Sequence, residues 1–554
     1  MKPVIVAVDE HTESLEVLRR DLTKRYGADY EVLVVGRAPH CQELLESLAA
    51  EGRIVSLTIA YHRMPEMTGI DLLSQVRDHH PGAMRVLMID VGDLSAEQPI
   101  VKALTLNHID YYFGRPWASP EEEFYPVTGE ALRVWANAHL PRYEKVKLIG
   151  NPGSALIQTM ARTFELNNVA SGVYPPGSPG AAKMLREYDV APDDLPVAVL
   201  YDGRVIRDLS QMEVARALGA RDLPLEQTTH DVTIVGAGPA GLSGAVYAAA
   251  EGFKVLLLEC FATGGQARTS SMIRNYLGFP WGISGGDLAE RASRQAQQFG
   301  AYSAFTAPVS GLRTNGEEHI VALEDGREVR SRAVIIATGV TYRQLAAPGV
   351  DRLVGSGVFY GAGVSEARGM GGVSAGIVGA GNSAGQLAGY LAAVGASVTI
   401  LVRGPSLAKS MSDYLVKEIE VNRQVRVLVN AEVAEAVGEH ALEAVAVRDT
   451  TTGAVARLRM EALFVMIGAE PHTNWLGPSI IRDERGFILT GADLLTDGRL
   501  PADWPLPRPP LVLETSVPGV FAAGDVRHGS IKRVAGAVGE GSTSILLISQ
   551  YLGR

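Results

Sequence analysis

Asp231-Val232-Thr233-Ile234-Val235-Gly236-Ala237-Gly238-Pro239-Ala240-Gly241 organises the second half of the chain. A run rich in β-branched residues predicts a strand; three glycines interrupt it, and an alanine-rich segment to Ala250 predicts a helix. A second strand, Lys254 to Leu258, ends in Glu259. This is a complete dinucleotide-binding βαβ pattern. Gly236 permits the tight turn, Gly238 lets the backbone approach a pyrophosphate, and Gly241 lets helix and strand pack. Pro239 and Ala240 open the helix, whose N-terminus favours negative charge. Glu259 stands where a carboxylate accepts hydrogen bonds from ribose hydroxyls.

The pattern recurs at Gly379-Ala380-Gly381-Asn382-Ser383-Ala384, after the strand Ser374 to Val378 and before a helix to Ala393. Two nucleotide sites imply electron transfer between two cofactors. The next strand, Ser397 to Val402, ends in Arg403 where an acid would select a free ribose hydroxyl. A cation there suits a 2′-phosphate and favours NADPH, with NADH the alternative. Read otherwise, Arg403 is a solvated surface charge.

Outward from these motifs, 554 residues imply several domains of about 100 to 200 residues each. With 46% apolar and 20% charged residues and 60 glycines, the chain has globular composition. Strand-like and helix-like segments alternate throughout, predicting an α/β protein with parallel sheets. A net charge of -11 argues against nucleic acid as partner. No window reaches the roughly 20 apolar residues of a membrane span, and Met1 to Glu10 is unlike a signal peptide, so a cytoplasmic location is expected. The two cysteines, Cys41 and Cys260, exclude a disulfide framework and any Cys-x-x-Cys motif, and both are expected to be buried structural thiols.

From His230 onward the chain resembles the low-molecular-weight thioredoxin reductases. The resemblance is carried by Gly264-Gly265-Gln266, Asn275-Tyr276-Leu277-Gly278-Phe279-Pro280, Ala337-Thr338-Gly339, Gly524-Asp525, Lys532-Arg533-Val534-Ala535 and Gly539-Glu540-Gly541. It implies FAD in contact with Gly265, Gln266, Asn275, Ala337, Thr338, Gly339, Gly524, Asp525 and the segment Lys532 to Ala535. It also implies a split FAD domain at 228–347 and 465–554, an inserted NAD(P)H domain at 348–464, and a homodimer. In that family a Cys-x-x-Cys precedes the second glycine motif. Here the corresponding stretch, Gly357 to Glu366, contains no cysteine. The thiolate is the nucleophile of disulfide exchange, so the usual route to thioredoxin is gone.

Residues 1–142 resemble a response-regulator receiver of flavodoxin-like fold, through Asp9-Glu10, Met64-Pro65-Glu66-Met67-Thr68-Gly69 and Arg115-Pro116. The phosphoacceptor aspartate is replaced by Tyr61, the hydroxyl position falls near Ile89, and the lysine is Arg115. Such a pseudo-receiver cannot form an acyl-phosphate, although Asp9 and Glu10 remain to hold a cation. It serves either as a docking platform or as a structural appendage. Residues 143–225 resemble a thioredoxin- or glutaredoxin-like domain, with Pro196 as its cis-proline and Gly150-Asn151-Pro152-Gly153-Ser154 in place of the redox motif. The full layout is similar to fused response regulator/thioredoxin-disulfide reductases.

Two functions follow. In one, NADPH reduces FAD and the electrons pass to a non-disulfide acceptor, such as a redox protein, a quinone or oxygen; hydride transfer needs no acid or base, so no catalytic residue is named. Lys532 and Arg533 would stabilise negative charge on the reduced flavin. In the other, FAD reports redox state and the N-terminal domain relays it to a signalling partner.

Overall fold

The computed structural model describes residues 2–139, 143–166, 169–210, 213–214, 217, 229–260, 262–270, 273–280, 282–305, 307–360, 370–500 and 504–553. Segments 140–142, 225–228 and 361–366, which carry the expected domain boundaries and most of the dithiol position, lie outside them. The chain divides into two compact units, Met1–Pro141 with Tyr342–Gly468 and Arg142–Thr341 with Ala469–Arg554.

The first unit opens with strands β1 (Val4–Val8), β2 (Glu31–Val35), β3 (Val55–Tyr61), β4 (Met84–Asp90) and β5 (Tyr111–Arg115). All are parallel, in the order β2-β1-β3-β4-β5. Every residue of β1 and β3 is buried, as expected for strands covered by helices on both faces. Thr68 caps the helix Gly69–His79, its Oγ1 accepting from the Asp71 N–H at 3.1 Å. This strand order is a doubly wound one, and such sheets gather functional groups at the carboxyl ends of their strands.

In the small sheet of the second unit, β6 (Val146–Ile149), β7 (Ser171–Tyr174), β8 (Val197–Leu200) and β9 (Val205–Ile206) lie in the order β7-β6-β8-β9. The Leu195–Pro196 peptide is cis, as expected at Pro196. A Cβ on Gly150 would fall 2.9 Å from that of Pro196, so the two landmarks of this domain adjoin. The larger sheet joins β10 (His230–Val235), β11 (Val255–Leu258), β12 (Tyr302–Ala304), β13 (Val309–Asn315), β14 (Glu318–Leu323) and β15 (Glu328–Ile336) in the order β12-β11-β10-β15-β14-β13. The helix Pro239–Ala250 packs against the C-terminal helix Val534–Leu552 through glycines. A Cβ on Gly541 would fall 2.1 Å from Ala240 O, so only glycine allows the crossing.

The chain passes between the units through β16 (Val340–Tyr342) and β25 (Ala469–Pro471), which pair with each other. The inserted part of the first unit is a parallel sheet of β17 (Val358–Tyr360), β18 (Ser374–Val378), β19 (Ser397–Leu401), β20 (Val425–Leu428) and β24 (Ala462–Val465), ordered β17-β24-β18-β19-β20. An antiparallel sheet of β21 (Ala431–Val437), β22 (Ala444–Asp449) and β23 (Val455–Arg459) is appended. The last strand, β26 (Val520–Ala522), returns to the second unit and pairs parallel with β15. No helix among the described residues is long and apolar enough to cross a membrane.

Candidate functional site

At the carboxyl end of β10 the chain turns at Gly236, whose φ is +103° and whose Cβ would lie 2.4 Å from Ala337 O. Gly238 caps the helix Pro239–Ala250, with Pro239 in its first turn. A Cβ on Gly241 would fall 1.8 Å from Gly236 O, so helix and turn touch with no room for a side chain. Gly238 differs: the nearest atom to a Cβ there is Gly265 Cα, at 3.9 Å. Gly238 and Gly265 thus adjoin backbone to backbone at a helix N-terminus, with no side chain from either to block a pyrophosphate. Glu259, at the end of β11, accepts the Ala237 N–H at 2.7 Å and so holds its carboxylate beside this turn.

The motifs spread along the sequence converge here. Ala337 follows β15 and donates its N–H to Val235 O at 2.8 Å, and Thr338 bonds His472 O at 2.8 Å before Gly339 turns at φ +68°. Gly524, with φ +79°, follows β26; its Cβ would stand 3.0 Å from that of Ala240. Its N–H donates to Glu540 Oε2 at 2.7 Å, while Glu540 Oε1 accepts Arg527 Nη2 at 2.5 Å. Burial pushes the neighbouring Asp525 carboxyl up, a shift Lys532 opposes. Lys532 Nζ sits 4.6 Å from the centre of the Phe487 ring; partial burial pushes its ammonium down, against Asp525 and Glu540. Arg533 caps the C-terminal helix, leaving Val534 and Ala535 in its first turn, where backbone N–H groups lack helical acceptors. Gln266 lies in the short turn Gly265–Thr269, and Asn275 is exposed in the loop after it.

The second glycine motif has the same design. Gly379, at φ +140°, would place a Cβ 2.5 Å from Met466 O, whereas Gly381 has nothing within 4 Å of its Cβ position and caps the helix Asn382–Ala393. Ala384 stands in the third position and is buried. Asn382 accepts the Ser412 N–H at 2.7 Å and Ser410 donates to Ala380 O at 2.9 Å, tying the loop after β19 to the turn. Ser383, Arg403 and Lys409 are exposed around it.

The family model for pyridine nucleotide-disulphide oxidoreductases matches residues 230–541. The chain belongs to the pyridine nucleotide-disulphide oxidoreductase family. A 34.2 kDa protein in the rubredoxin operon of Clostridium pasteurianum is 30% identical over 328 residues, covering 59% of this chain and 99% of that protein. Thioredoxin reductase of Bacillus subtilis is 31% identical over 328 residues, 59% of this chain and 96% of its own. Among solved structures, thioredoxin reductases of Streptococcus pyogenes (29% identity, TM-score 0.51) and Giardia duodenalis (25%, 0.52) each align with 59% of this chain, and with 98% and 100% of their own.

As a member of this family the protein is an FAD-dependent oxidoreductase that draws on NADPH. The residues present fit two dinucleotides: Gly238 and Gly381 each sit at a helix N-terminus, Gly381 with no atom within 4 Å of its Cβ position and Gly238 with only Gly265 Cα, at 3.9 Å.

Two expectations about this pyridine nucleotide-disulphide oxidoreductase need correction. The Asp9-Glu10 pair is not free to hold a cation. The Asp9 carboxylate is fully buried; its Oδ2 pairs with Arg115 Nη1, and its Oδ1 accepts the His11 N–H and meets His11 Nδ1, both at 3.0 Å. Asp90 accepts the Tyr61 hydroxyl at 2.7 Å and Arg115 Nε at 2.9 Å. The Arg115 guanidinium thus takes up both Asp9 and Asp90. Nothing in the sequence signalled Asp90 or His11, because they join the site only when the sheet aligns its strand ends. The second correction concerns Cys260, which is exposed, since it lies past the end of β11 with its Sγ 3.6 Å from Glu259 Oε1. Partial burial and Glu259 push its thiol up to about 12. Cys41 is buried, as expected, and burial pushes its thiol up to about 12.

Proposed function

We propose that this oxidoreductase passes electrons from NADPH through FAD to an acceptor other than a protein disulfide. The observation that carries this reading is the cysteine inventory. Cys41 belongs to one unit and Cys260 to the other, burial pushes both thiols up to about 12, and the chain contains no Cys-x-x-Cys pair. Bound flavin supplies the capacity to take a hydride and release its electrons. Around it the chain would orient and neutralise: Gly236, Gly238, Pro239, Ala240 and Gly241 hold the pyrophosphate, Glu259 the ribose, and Gly265, Gln266, Asn275, Ala337, Thr338 and Gly339 line the approach. Gly524 and Asp525 meet the ribityl chain, while Lys532, Arg533, Val534 and Ala535 face the pyrimidine edge. Gly379, Gly381, Asn382, Ser383 and Ala384 hold NADPH, with Arg403 on its 2′-phosphate.

The boundaries of this proposal are 228–347 with 465–554 for FAD and 348–464 for NADPH. The strand order of residues 1–142 supports a pseudo-receiver, and the cis Pro196 beside Gly150 supports a thioredoxin-like domain at 143–225. A homodimer and a redox partner protein complete the reading. The test is steady-state oxidation of NADPH with ferricyanide or a quinone as acceptor, against thioredoxin or a small aromatic disulfide. Turnover with the first pair alone supports the proposal. Turnover of the disulfides at comparable rate overturns it.

A further inference from the structure

The first unit contains a cleft of about 610 Å³ that neither glycine motif uses. Its walls come from Leu106 and His108, after the helix Glu97–Thr105, and from the appended sheet β21-β22-β23 with Gly357. The volume falls in the range of roughly 300 to 1,000 Å³ typical of small-molecule sites. Arg457 and Arg459 line it two residues apart on β23, so both project from the same face of the strand. Opposite them in register on β22 stand Ala446 and Ala444, too small to shield either guanidinium. Neither arginine has an ion-pair partner among the described residues. Of the two carboxylates in the lining, Glu461 is engaged by the Ser374 N–H at 3.2 Å, leaving Glu443 as the second.

The wider setting is cationic in a chain of net charge -11. Burial, together with the fields of Arg85, Lys102 and Arg77 and opposed by Glu461, pushes the His108 imidazole below its ordinary value. Arg85 is paired with Asp110 at 2.9 Å; Arg77 spends one N–H on His440 O at 3.2 Å and is otherwise uncompensated enough, mainly through burial, to be pushed down to about 10. Leu106 and Leu442, both buried, supply the cleft's apolar lining. Two guanidinium groups on one strand face beside an apolar lining match an anionic head carrying a flat ring.

We propose that this cleft binds a nucleoside monophosphate, its phosphate on Arg457 and Arg459 and its base on Leu106 and Leu442. The site is separate from the dinucleotide position at Gly379 and Arg403, and it gives the unit a small-molecule input.

Equilibrium dialysis of the FAD-loaded full chain, presaturated with NADP⁺, against labelled AMP, GMP, CMP and UMP tests it. One of the four should bind at one per chain. Arg457→Glu/Arg459→Glu should weaken it by about tenfold or more. Arg457→Gln/Arg459→Gln, milder in charge, should weaken it with melting temperature and flavin content unaltered. Inorganic phosphate should compete about tenfold less well than the nucleotide. Absence of binding by all four, binding indifferent to both double variants, or phosphate competing equally would each overturn the proposal.

Discussion

The Arg115 guanidinium lies 3.3 Å from the centre of the Tyr61 ring while pairing with Asp9 and Asp90, so one side chain neutralises two acids and stacks on an aromatic face. Removing it leaves the buried Asp9 carboxylate with only His11 for company. Arg115→Ala should cost about 3 to 5 kcal/mol, the usual penalty for breaking a buried pair. Added Mg²⁺ should recover part of that loss in the variant and leave the unsubstituted protein unchanged. Thermal unfolding of both with and without Mg²⁺ measures it; equal response of the two would contradict the arrangement.

The glycines of the first motif separate packing from ligand contact. Gly241→Ala collides with Gly236 O and should lower both stability and flavin content, with overpacking costing about 1 to 3 kcal/mol. Gly238→Ala meets only Gly265 Cα, at an ordinary contact distance of 3.9 Å, and should leave the melting temperature of flavin-free protein unchanged while weakening FAD binding by about tenfold or more. Flavin absorbance per chain after dialysis, beside melting curves, reads the two effects independently.

The proposed contact of Arg403 with the 2′-phosphate predicts a selective effect on NADPH. Arg403→Ala should raise KM for NADPH by about tenfold, the worth of one charge-assisted contact of about 1.4 kcal/mol, and leave KM for NADH unchanged. Unchanged KM for both nucleotides would assign Arg403 to the solvated surface.

His319 gives the fold an acid limit. It is buried on β14, its Nδ1 sharing a hydrogen bond with Thr314 Oγ1 at 3.1 Å, and burial pushes it down to about 4. The unfolded chain, with histidine near 6.5, takes up the proton first as pH falls. Stability from this residue is therefore intact above about 6.5 and lost progressively down to about 4, for a total on the order of 3 kcal/mol. His319→Gln should flatten that part of the stability profile in urea unfolding from pH 7 to 4.5. A profile of unchanged slope would remove His319 as the cause.

Much of this was legible in the residues. Both glycine motifs are local, so strand, turn and helix could be read at Gly236 and Gly379 from spacing alone, and the family match then covers both. The convergence of Ala337 and Gly524 on the first turn could not be derived locally, because it is made by β15 and β26 pairing across nearly two hundred residues; only resemblance supplied it. The Arg115 cluster was missed for a different reason. Substitution of Tyr61 and Arg115 was visible one residue at a time, but its compensation, a guanidinium that takes up both Asp9 and Asp90, exists only in three dimensions. Cys260 was misjudged because a cysteine next to a strand end was assumed to share the burial of the strand.

The central claim is that this chain is an NADPH-dependent flavoenzyme with no dithiol between flavin and acceptor. Anaerobic rapid mixing of FAD-loaded protein with NADPH, followed by flavin absorbance and then by addition of acceptor, tests it most directly. Rapid bleaching that consumes one NADPH per flavin, unchanged in Cys41→Ser/Cys260→Ser and reversed by a non-disulfide acceptor, is the predicted result. Absence of bleaching, or uptake of a second reducing equivalent pair that the cysteine variant abolishes, would contradict it.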